Sequence, residues 1–216
     1  MQPGRLPRQL DGVVQTRFMG AALFALVFAA ALIQSDCYSG PPTVVPTNHG
    51  PVQGAVSGDV VRFLGIPYAL PPVGVLRWRP PQPHPGWRET KRDATAFGPI
   101  CPQPPGDTPL PPSSEDCLYL NVYAPFPLQS GRKVMVWIHG GTNTNGAGSF
   151  YDPTPLVTTR GVVVVTLNYR LGALGFLAHP ALRIESGSTG NYGLADQQRA
   201  MHWVRDNIAA FGGDRD

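Results

Sequence analysis

Residues 134–141 read VMVWIHGG, a continuous apolar run of strand length that leads directly into a histidine and two glycines. Residues 161–167 (GVVVVTL) form a second apolar run that is rich in β-branched side chains. Unbroken runs of this kind predict strands that are covered on both faces, as in the middle of an α/β sheet. We therefore predict an α/β fold with a mostly parallel central sheet.

The glycine turn after the first of these strands is the first feature that suggests chemistry. Glycines placed directly after a buried strand let backbone N–H groups point into a cavity, which is what an oxyanion hole requires. The alternative is a tight turn that needs glycine only for its positive φ. On His139, Gly140 and Gly141 alone, both interpretations remain open.

The segments before these strands predict a hairpin and long ordered loops. Residues 51–66 (PVQGAV, SG, DVVRFLGI) are two strand-like runs joined by a turn, which is typical of an antiparallel hairpin. Residues 70–87 and 102–112 contain too many prolines for a helix or a central strand. Leu76, Trp78 and Trp87 within the first loop favour burial and thus order.

An amphipathic helix is predicted near the end of the chain. Apolar residues recur there at steps of three, four or seven, at Leu194, Met201, Val204, Ile208 and Phe211. Asn191 precedes this stretch as a possible N-cap, and Gly212 and Gly213 follow it as a stop signal.

The composition limits the classes of function. The chain has 216 residues, of which 42% are hydrophobic and 14% are charged, and this indicates one globular domain. The net charge is only +3 and the basic residues are scattered, so nucleic acid is a poor candidate partner. A small or neutral substrate fits better, and we predict no cofactor and no metal site.

Residues 1–35 are typical of an export signal. Three arginines precede an uncharged apolar stretch, Phe18–Ile33. This stretch is shorter than the roughly 20 residues that cross a bilayer, and its terminal position disfavours a core helix. We predict a signal peptide that is cleaved after Ala31 or Ser35, a secreted or periplasmic protein, a linker at 36–50 and a folded domain at 51–216.

Three cysteines follow the apolar stretch: Cys37, Cys101 and Cys117. In an oxidising compartment the last two are natural disulfide partners, and closing their loop would contribute roughly 3 kcal/mol through the unfolded state. Cys37 has two interpretations. Lipidation there would tie the protein to a membrane, although Asp36 stands where that signal requires a small residue, and the alternative is a free thiol or an intermolecular disulfide.

Several longer motifs resemble those of the type B carboxylesterases, which are cholinesterase-like α/β-hydrolases. In chain order they are FLGIPYALPPVGVLRWRPPQP, ATAFGPICPQ, EDCLYLNVYAP, VMVWIHGG, VVVVTLNYRLGALGFL, GNYGLADQ and DNIAAFGGD. The resemblance covers the chain from about Gly50 onward and has a bacterial style. It implies the N-terminal part of an α/β-hydrolase fold and hydrolysis of small-molecule carboxylic esters through a serine acyl-enzyme.

The resemblance also implies the residues of the oxyanion hole. The backbone N–H groups of Gly141 and Thr142 would be the donors, and Gly140 would support the turn. Thr142 replaces the family's third glycine, and a β-branched residue with positive φ would cost roughly 1–2 kcal/mol. His139 is expected to hold the loop rather than to transfer protons.

The remaining matches to the family are structural. Cys101 and Cys117 match its first disulfide. Two Arg–carboxylate pairs match internal salt bridges of the family: Arg77 with Glu115, and Arg170 with Asp196. We expect a structural role for both, because such pairs usually fix loops to a scaffold.

No serine in the 216 residues matches the family's nucleophile. In the family, the serine of the G-x-S-x-G elbow would lie about eight residues beyond Asp216. The nearest approach here, SGSTG centred on Ser188, has Ser186 in place of the first glycine. We expect the chain alone to be inactive and poorly soluble. The alternatives are a catalytically inactive cholinesterase-like adhesion protein and a non-functional fragment.

Overall fold

A computed structural model describes residues 42–106, 109–187 and 189–216. The predicted signal peptide, Cys37 and Ser188 lie outside these residues.

Within the described ranges, seven strands form one sheet. They are β1 (Pro42–Thr47), β2 (Gly50–Ser57), β3 (Val60–Pro67), β4 (Arg92–Asp93), β5 (Tyr119–Pro125), β6 (Val134–Ile138) and β7 (Val163–Leu167). Their spatial order is β1-β2-β3-β5-β7-β6, and β4 pairs with β2. The helices are α1 (Thr154–Arg160), α2 (Gly172–Phe176), α3 (Pro180–Ser186) and α4 (Tyr192–Asn207). Short 3-10 turns occur at Gly74–Leu76, Gly148–Phe150 and Ile208–Phe211.

The predicted hairpin is present as β2 and β3. Ser57 pairs with Val60 across a two-residue turn, and Gly58 in that turn has φ of 54°. Residues 42–50, which composition predicts to be a linker, instead form β1 and the turn into β2. Val45 on β1 is buried. Prolines are tolerated in β1 because, among the described strands, it is an edge strand whose one partner is β2.

The sheet is mixed, and the mostly parallel character that we predicted does not hold for this part of the chain. Among the described strands, β6–β7 and the short β2–β4 contact are parallel, whereas the other four pairs are antiparallel. A parallel pair needs a crossover connection. Among the described strands that follow one another in the sequence and also lie side by side in the sheet, only β6 and β7 are joined by such a crossover, which contains α1.

The two apolar runs differ in burial. Every residue of β7 is buried, as predicted. The prediction for β6 is wrong, because Met135, Trp137 and Ile138 are 44%, 42% and 40% exposed. The reason is its position at the edge of the described sheet, where β7 is its only partner.

Helix α4 begins directly after Asn191, although the side chain of Asn191 makes no capping hydrogen bond. The helix continues as a 3-10 turn to Phe211 and ends at Gly212, which has φ of 86°. Of the five apolar residues that predicted its buried face, Val204, Ile208 and Phe211 are buried, whereas Leu194 and Met201 are about half exposed. The buried face also contains residues that the prediction did not include: Tyr192, Asp196, Ala200, Trp203 and Asn207. No helix in the described part of the chain is both long and apolar enough to cross a membrane.

Candidate active site

The loop that follows β6 has a backbone that glycine alone can adopt at its centre. Gly141 has φ of 110°, and a Cβ there would lie 2.0 Å from the carbonyl oxygen of Asn145. Gly140 is less constrained, since a Cβ at that position would meet nothing within 4 Å. The turn therefore depends on Gly141 for space and for its conformation.

The backbone amides of Gly141 and Thr142 are the chemically notable groups of this loop. Both residues are exposed, and within the described ranges neither N–H group donates to a protein acceptor. Adjacent amides without a protein acceptor can donate to the oxygen of a bound ligand. This is the property that an oxyanion hole requires.

The carbonyl groups on the same peptides are held in place. The Gly140 oxygen lies 2.9 Å from Nδ1 of His139. The Gly141 oxygen accepts hydrogen bonds from the N–H groups of Thr144, at 2.9 Å, and Asn145, at 3.2 Å. Because a peptide unit is planar, a fixed carbonyl also fixes the direction of the N–H group on the next residue.

His139 supports the loop from beneath. Its ring is buried and stacks on the ring of Tyr169 with centroids 4.5 Å apart, and the Tyr169 hydroxyl donates to the His139 carbonyl oxygen at 3.0 Å. Burial lowers the pKa of His139, although its contact with Gly140 opposes the shift. A neutral imidazole can donate from Nδ1 to the Gly140 carbonyl, which fits a supporting role.

Four further hydrogen bonds tie the loop to its surroundings. The N–H of Gly172, at the start of α2, donates to the Asn143 carbonyl oxygen at 2.7 Å. The side chain of Asn168, just after β7, accepts the N–H of Gly148 at 2.9 Å. The carboxamide of Gln103 binds Gly146. The loop is thus anchored by residues outside it, namely Gln103, Asn168 and Gly172.

Thr142 has φ of 53°, in the left-handed region. The sequence-based cost depended on a positive φ at this residue, and the φ is positive. The β-branched side chain is therefore expected to lower the stability of the folded loop by roughly 1–2 kcal/mol. Asn143 follows with φ of 60°.

Cys101 and Cys117 are disulfide-bonded, with Cα atoms 5.0 Å apart. Arg77 binds Glu115 through two hydrogen bonds, of 2.5 and 2.6 Å. Glu115 lies close to Cys117, so the ion pair and the disulfide fix the same end of the proline-rich loop.

Arg170 and Asp196 form a second, fully buried ion pair. The guanidinium donates to both carboxylate oxygens, at 2.8 and 2.7 Å, and the Arg170 backbone N–H adds a third bond of 3.1 Å. Burial raises the pKa of Asp196, and the hydrogen bonds and charge of Arg170 oppose this rise. Both oxygens of Asp196 are occupied by Arg170, which fits a structural role rather than that of a triad acid.

Among the described residues, no group of three or more histidine, cysteine, aspartate and glutamate side chains is arranged to hold a metal ion. Sequence reasoning also missed several residues that support the loop. These are Gln103, Thr144, Asn168 and Tyr169. Asn168 and Tyr169 lie inside a family motif, but nothing in the spacing of Gln103 or Thr144 indicates a contact with the glycine turn.

The chain belongs to the carboxylesterase family, whose sequence profile matches residues 41–216, and its fold is that of the α/β-hydrolases. It is similar to the fumonisin B1 esterase of Sphingopyxis macrogoltabida, with 47% identity over 209 residues, and to the para-nitrobenzyl esterase of Bacillus subtilis, with 50% identity over 180 residues. These matches cover 90% and 80% of this chain but only 38% and 36% of the two relatives. A solved structure of a PNB esterase superimposes with a TM-score of 0.72 at 52% identity, covering 80% of this chain and 36% of the other.

Proposed function

We propose that these residues form the oxyanion-hole part of a serine carboxylesterase. The observation that carries the proposal is the pair of adjacent amides, on Gly141 and Thr142, that have no protein acceptor in the described structure and lie on peptides whose carbonyls are held. Membership of the carboxylesterase family supports hydrolysis of carboxylic esters.

In the proposed reaction a serine hydroxyl attacks the ester carbonyl and forms a tetrahedral intermediate. The negative oxygen of that intermediate accepts hydrogen bonds from the N–H groups of Gly141 and Thr142. Collapse of the intermediate releases the alcohol, and water then hydrolyses the acyl-enzyme to release the acid. The serine, the acid and the histidine base come, in this proposal, from sequence beyond Asp216.

We propose a small-molecule carboxylic ester as substrate. The names of the fumonisin B1 and para-nitrobenzyl esterases support this class, because each names a small molecule whose ester is cleaved. Which ester this chain's protein takes depends on pocket residues that the oxyanion loop does not supply.

The nucleotide sequence past codon 216 tests the proposal against its alternatives. An in-frame G-x-S-x-G motif about eight codons further on would support the esterase. A long open frame without that serine would support a non-catalytic, cholinesterase-like binding protein, with which the strained donor at Thr142 is consistent. An immediate stop codon would support a non-functional fragment.

An assay of the purified 216-residue chain on p-nitrophenyl acetate complements the sequencing. We expect neither turnover nor a burst of p-nitrophenol, since no nucleophile is assigned to these residues. A burst that is stoichiometric with protein would contradict the proposal.

We also propose that the protein is exported. The apolar stretch Phe18–Ile33 supports this, as does the disulfide between Cys101 and Cys117, because disulfides persist mainly in oxidising compartments. N-terminal sequencing of the protein recovered from its native host tests the proposal. A mature chain that still begins at Met1 would overturn it.

A further inference from the structure

Two threonine hydroxyls connect the oxyanion loop to its own backbone. Oγ1 of Thr144 donates to the carbonyl oxygen of Gly141 at 3.0 Å, and it lies 3.1 Å from Oγ1 of Thr142. Because the Thr144 proton is committed to Gly141, the Thr142 hydroxyl must donate to Thr144. The result is a directed chain from the Thr142 side chain through Thr144 to the Gly141 carbonyl.

This series of hydrogen bonds ends on the peptide that carries the second oxyanion-hole donor, the N–H group of Thr142. The carbonyl of Gly141 and the N–H of Thr142 are opposite ends of one planar peptide unit. The carbonyl oxygen accepts three hydrogen bonds, from the N–H groups of Thr144 and Asn145 and from the Thr144 hydroxyl. Donors on a carbonyl also polarise its peptide, which strengthens the N–H group at the other end.

The two donors of the oxyanion hole are thus supported in different ways. The Gly140–Gly141 peptide is held by His139, which is buried and stacked on Tyr169. The Gly141–Thr142 peptide lies in an exposed turn and, within the described residues, is held by contacts inside the loop alone. The support of the Gly141–Thr142 peptide matters more, because Thr142 has positive φ. A β-branched residue is unfavourable in the left-handed region and stays there only when its surroundings hold it.

We propose that Thr144 is a positioning residue whose hydroxyl holds Thr142 in its left-handed conformation and aims the Thr142 N–H at the oxyanion. Thr144 acts through the Gly141–Thr142 peptide and does not itself touch the substrate. The inference rests on the proposed esterase function and adds to it a residue that the glycine motif does not include.

The test uses the complete enzyme encoded by the reading frame, with T144V and T144S as matched variants. Valine keeps the shape of threonine and removes the hydroxyl, whereas serine keeps the hydroxyl. For T144V we expect kcat on p-nitrophenyl acetate to fall about tenfold with KM changed less than twofold, which is a smaller loss than the 10²–10³ for a donor that is removed outright. Binding of a trifluoromethyl ketone, which forms a tetrahedral serine adduct, should weaken by a similar factor.

T144S should restore most of the lost kcat. T158V serves as a control, because in the described part of the chain the Thr158 hydroxyl bonds only to helix carbonyls on α1, and its removal should leave kcat unchanged. If T144S is as impaired as T144V, or if T144V changes KM alone, the proposal is overturned.

A double-mutant cycle with T142G separates positioning from general damage. Glycine reaches positive φ without support, so T144V should lower kcat less in the T142G background than in the wild type. An equal loss of kcat in both backgrounds would contradict the proposed coupling.

Hydrogen exchange followed by mass spectrometry on peptides within 139–147 needs no activity. We expect about tenfold faster exchange in T144V than in T144S, because the Thr144 and Asn145 amides donate to the same carbonyl. If the wild-type enzyme hydrolyses no ester, the proposed function fails. The exchange experiment then still tests whether the Thr144 hydroxyl holds the loop, and equal exchange rates in T144V and T144S would overturn that role.

Discussion

The carboxamide of Gln103 binds both backbone groups of Gly146: Nε2 donates to the carbonyl oxygen at 3.0 Å, and Oε1 accepts the N–H at 2.9 Å. The same Nε2 group lies 3.1 Å from the carbonyl oxygen of Cys101. Gly146 has no room for a side chain, because a Cβ would lie 2.3 Å from Nδ1 of His139. The disulfide-closed, proline-rich loop therefore supports the loop that carries the candidate oxyanion hole.

Gln103→Met should weaken this support. Methionine has a similar shape but cannot pair with the two Gly146 backbone groups, and leaving part-buried polar groups unpaired costs about 1–3 kcal/mol. We expect that loss in urea unfolding, with faster hydrogen exchange in peptides within 139–147. Gln82→Met is the control, because the Gln82 side chain is exposed and, within the described residues, bonds only to the Pro80 carbonyl oxygen. Equal stability of the two variants would show that the Gln103 contact contributes nothing.

Alanine substitutions should separate the two glycines of the motif. Gly141→Ala places a Cβ against the Asn145 backbone at an unfavourable positive φ, so we expect a loss of about 2–3 kcal/mol in unfolding free energy. Gly140→Ala meets open space and should change stability by less than about 1 kcal/mol. Thermal unfolding of the two variants measures the difference, and the reverse order would refute the loop geometry.

The buried ion pair should matter more for stability than the partly exposed one. Asp196→Asn leaves the Arg170 guanidinium buried without its counter-charge, which typically costs 3–5 kcal/mol, or roughly 4 kcal/mol here. Glu115→Gln breaks the pair with Arg77, whose side chain is 39% exposed, and should cost clearly less. Urea midpoints of the two variants give the comparison. A larger effect at Glu115 would contradict the assignment of Arg170–Asp196 as the main structural pair.

Two histidines near the β1–β2 turn should make the fold sensitive to acid. His49 is buried between the rings of Trp87 and Trp203, and its Nδ1 has no hydrogen-bond partner in the described structure. Burial lowers the pKa of His49, as do the nearby charges of His84 and Arg199, while Asp206 opposes them. Burial also lowers the pKa of His84, with a smaller contribution from Arg92 and an opposing one from Asp116.

The direction of the pH effect on stability follows from proton linkage. Below the ordinary histidine pKa of 6.5 the unfolded chain binds protons that the folded chain resists, so stability is fully present above about pH 6.5 and falls as the pH is lowered. Urea midpoints measured from pH 7.5 to 5 should show this loss. The urea midpoint should depend less on pH in His49→Gln than in the wild type. An unchanged dependence would assign the acid sensitivity to other groups.

The exposed edge of β6 should make the 216-residue chain associate. Met135, Trp137 and Ile138 lie on a strand that pairs on one side only among the described strands. Unpaired apolar edges promote association. We expect light scattering to give a mass above that of a monomer, and Trp137→Lys to reduce it. Val75→Lys removes an exposed apolar side chain away from this edge and should not; a sharp, reversible unfolding of a monomeric wild type would refute the prediction.

Much of the candidate site could be located from local sequence. Glycine at 141 follows a strand-length apolar run, and its conformation is set by its own lack of a Cβ, so the turn and its two amides were predictable from neighbouring residues. The ion pairs and the disulfide followed from the family resemblance. Helix α4 was also predictable, and Val204, Ile208 and Phe211 are buried as predicted. The exposure of Leu194 and Met201 was not predictable, because periodicity does not say how far round the helix the covered face extends.

The sequence by itself determined the class of fold, the position of the glycine turn and the residues of the disulfide, because each depends on local backbone preference or on a family motif. Tertiary structure alone decided that residues 42–50 add an edge strand, that β6 lies at an edge with one partner among the described strands, and that Gln103 contacts the loop. These outcomes depend on pairing and contacts between segments, whose partners no local pattern specifies. The positive φ of Thr142 also became known only with the folded loop, because a threonine takes that conformation only when its surroundings hold it there.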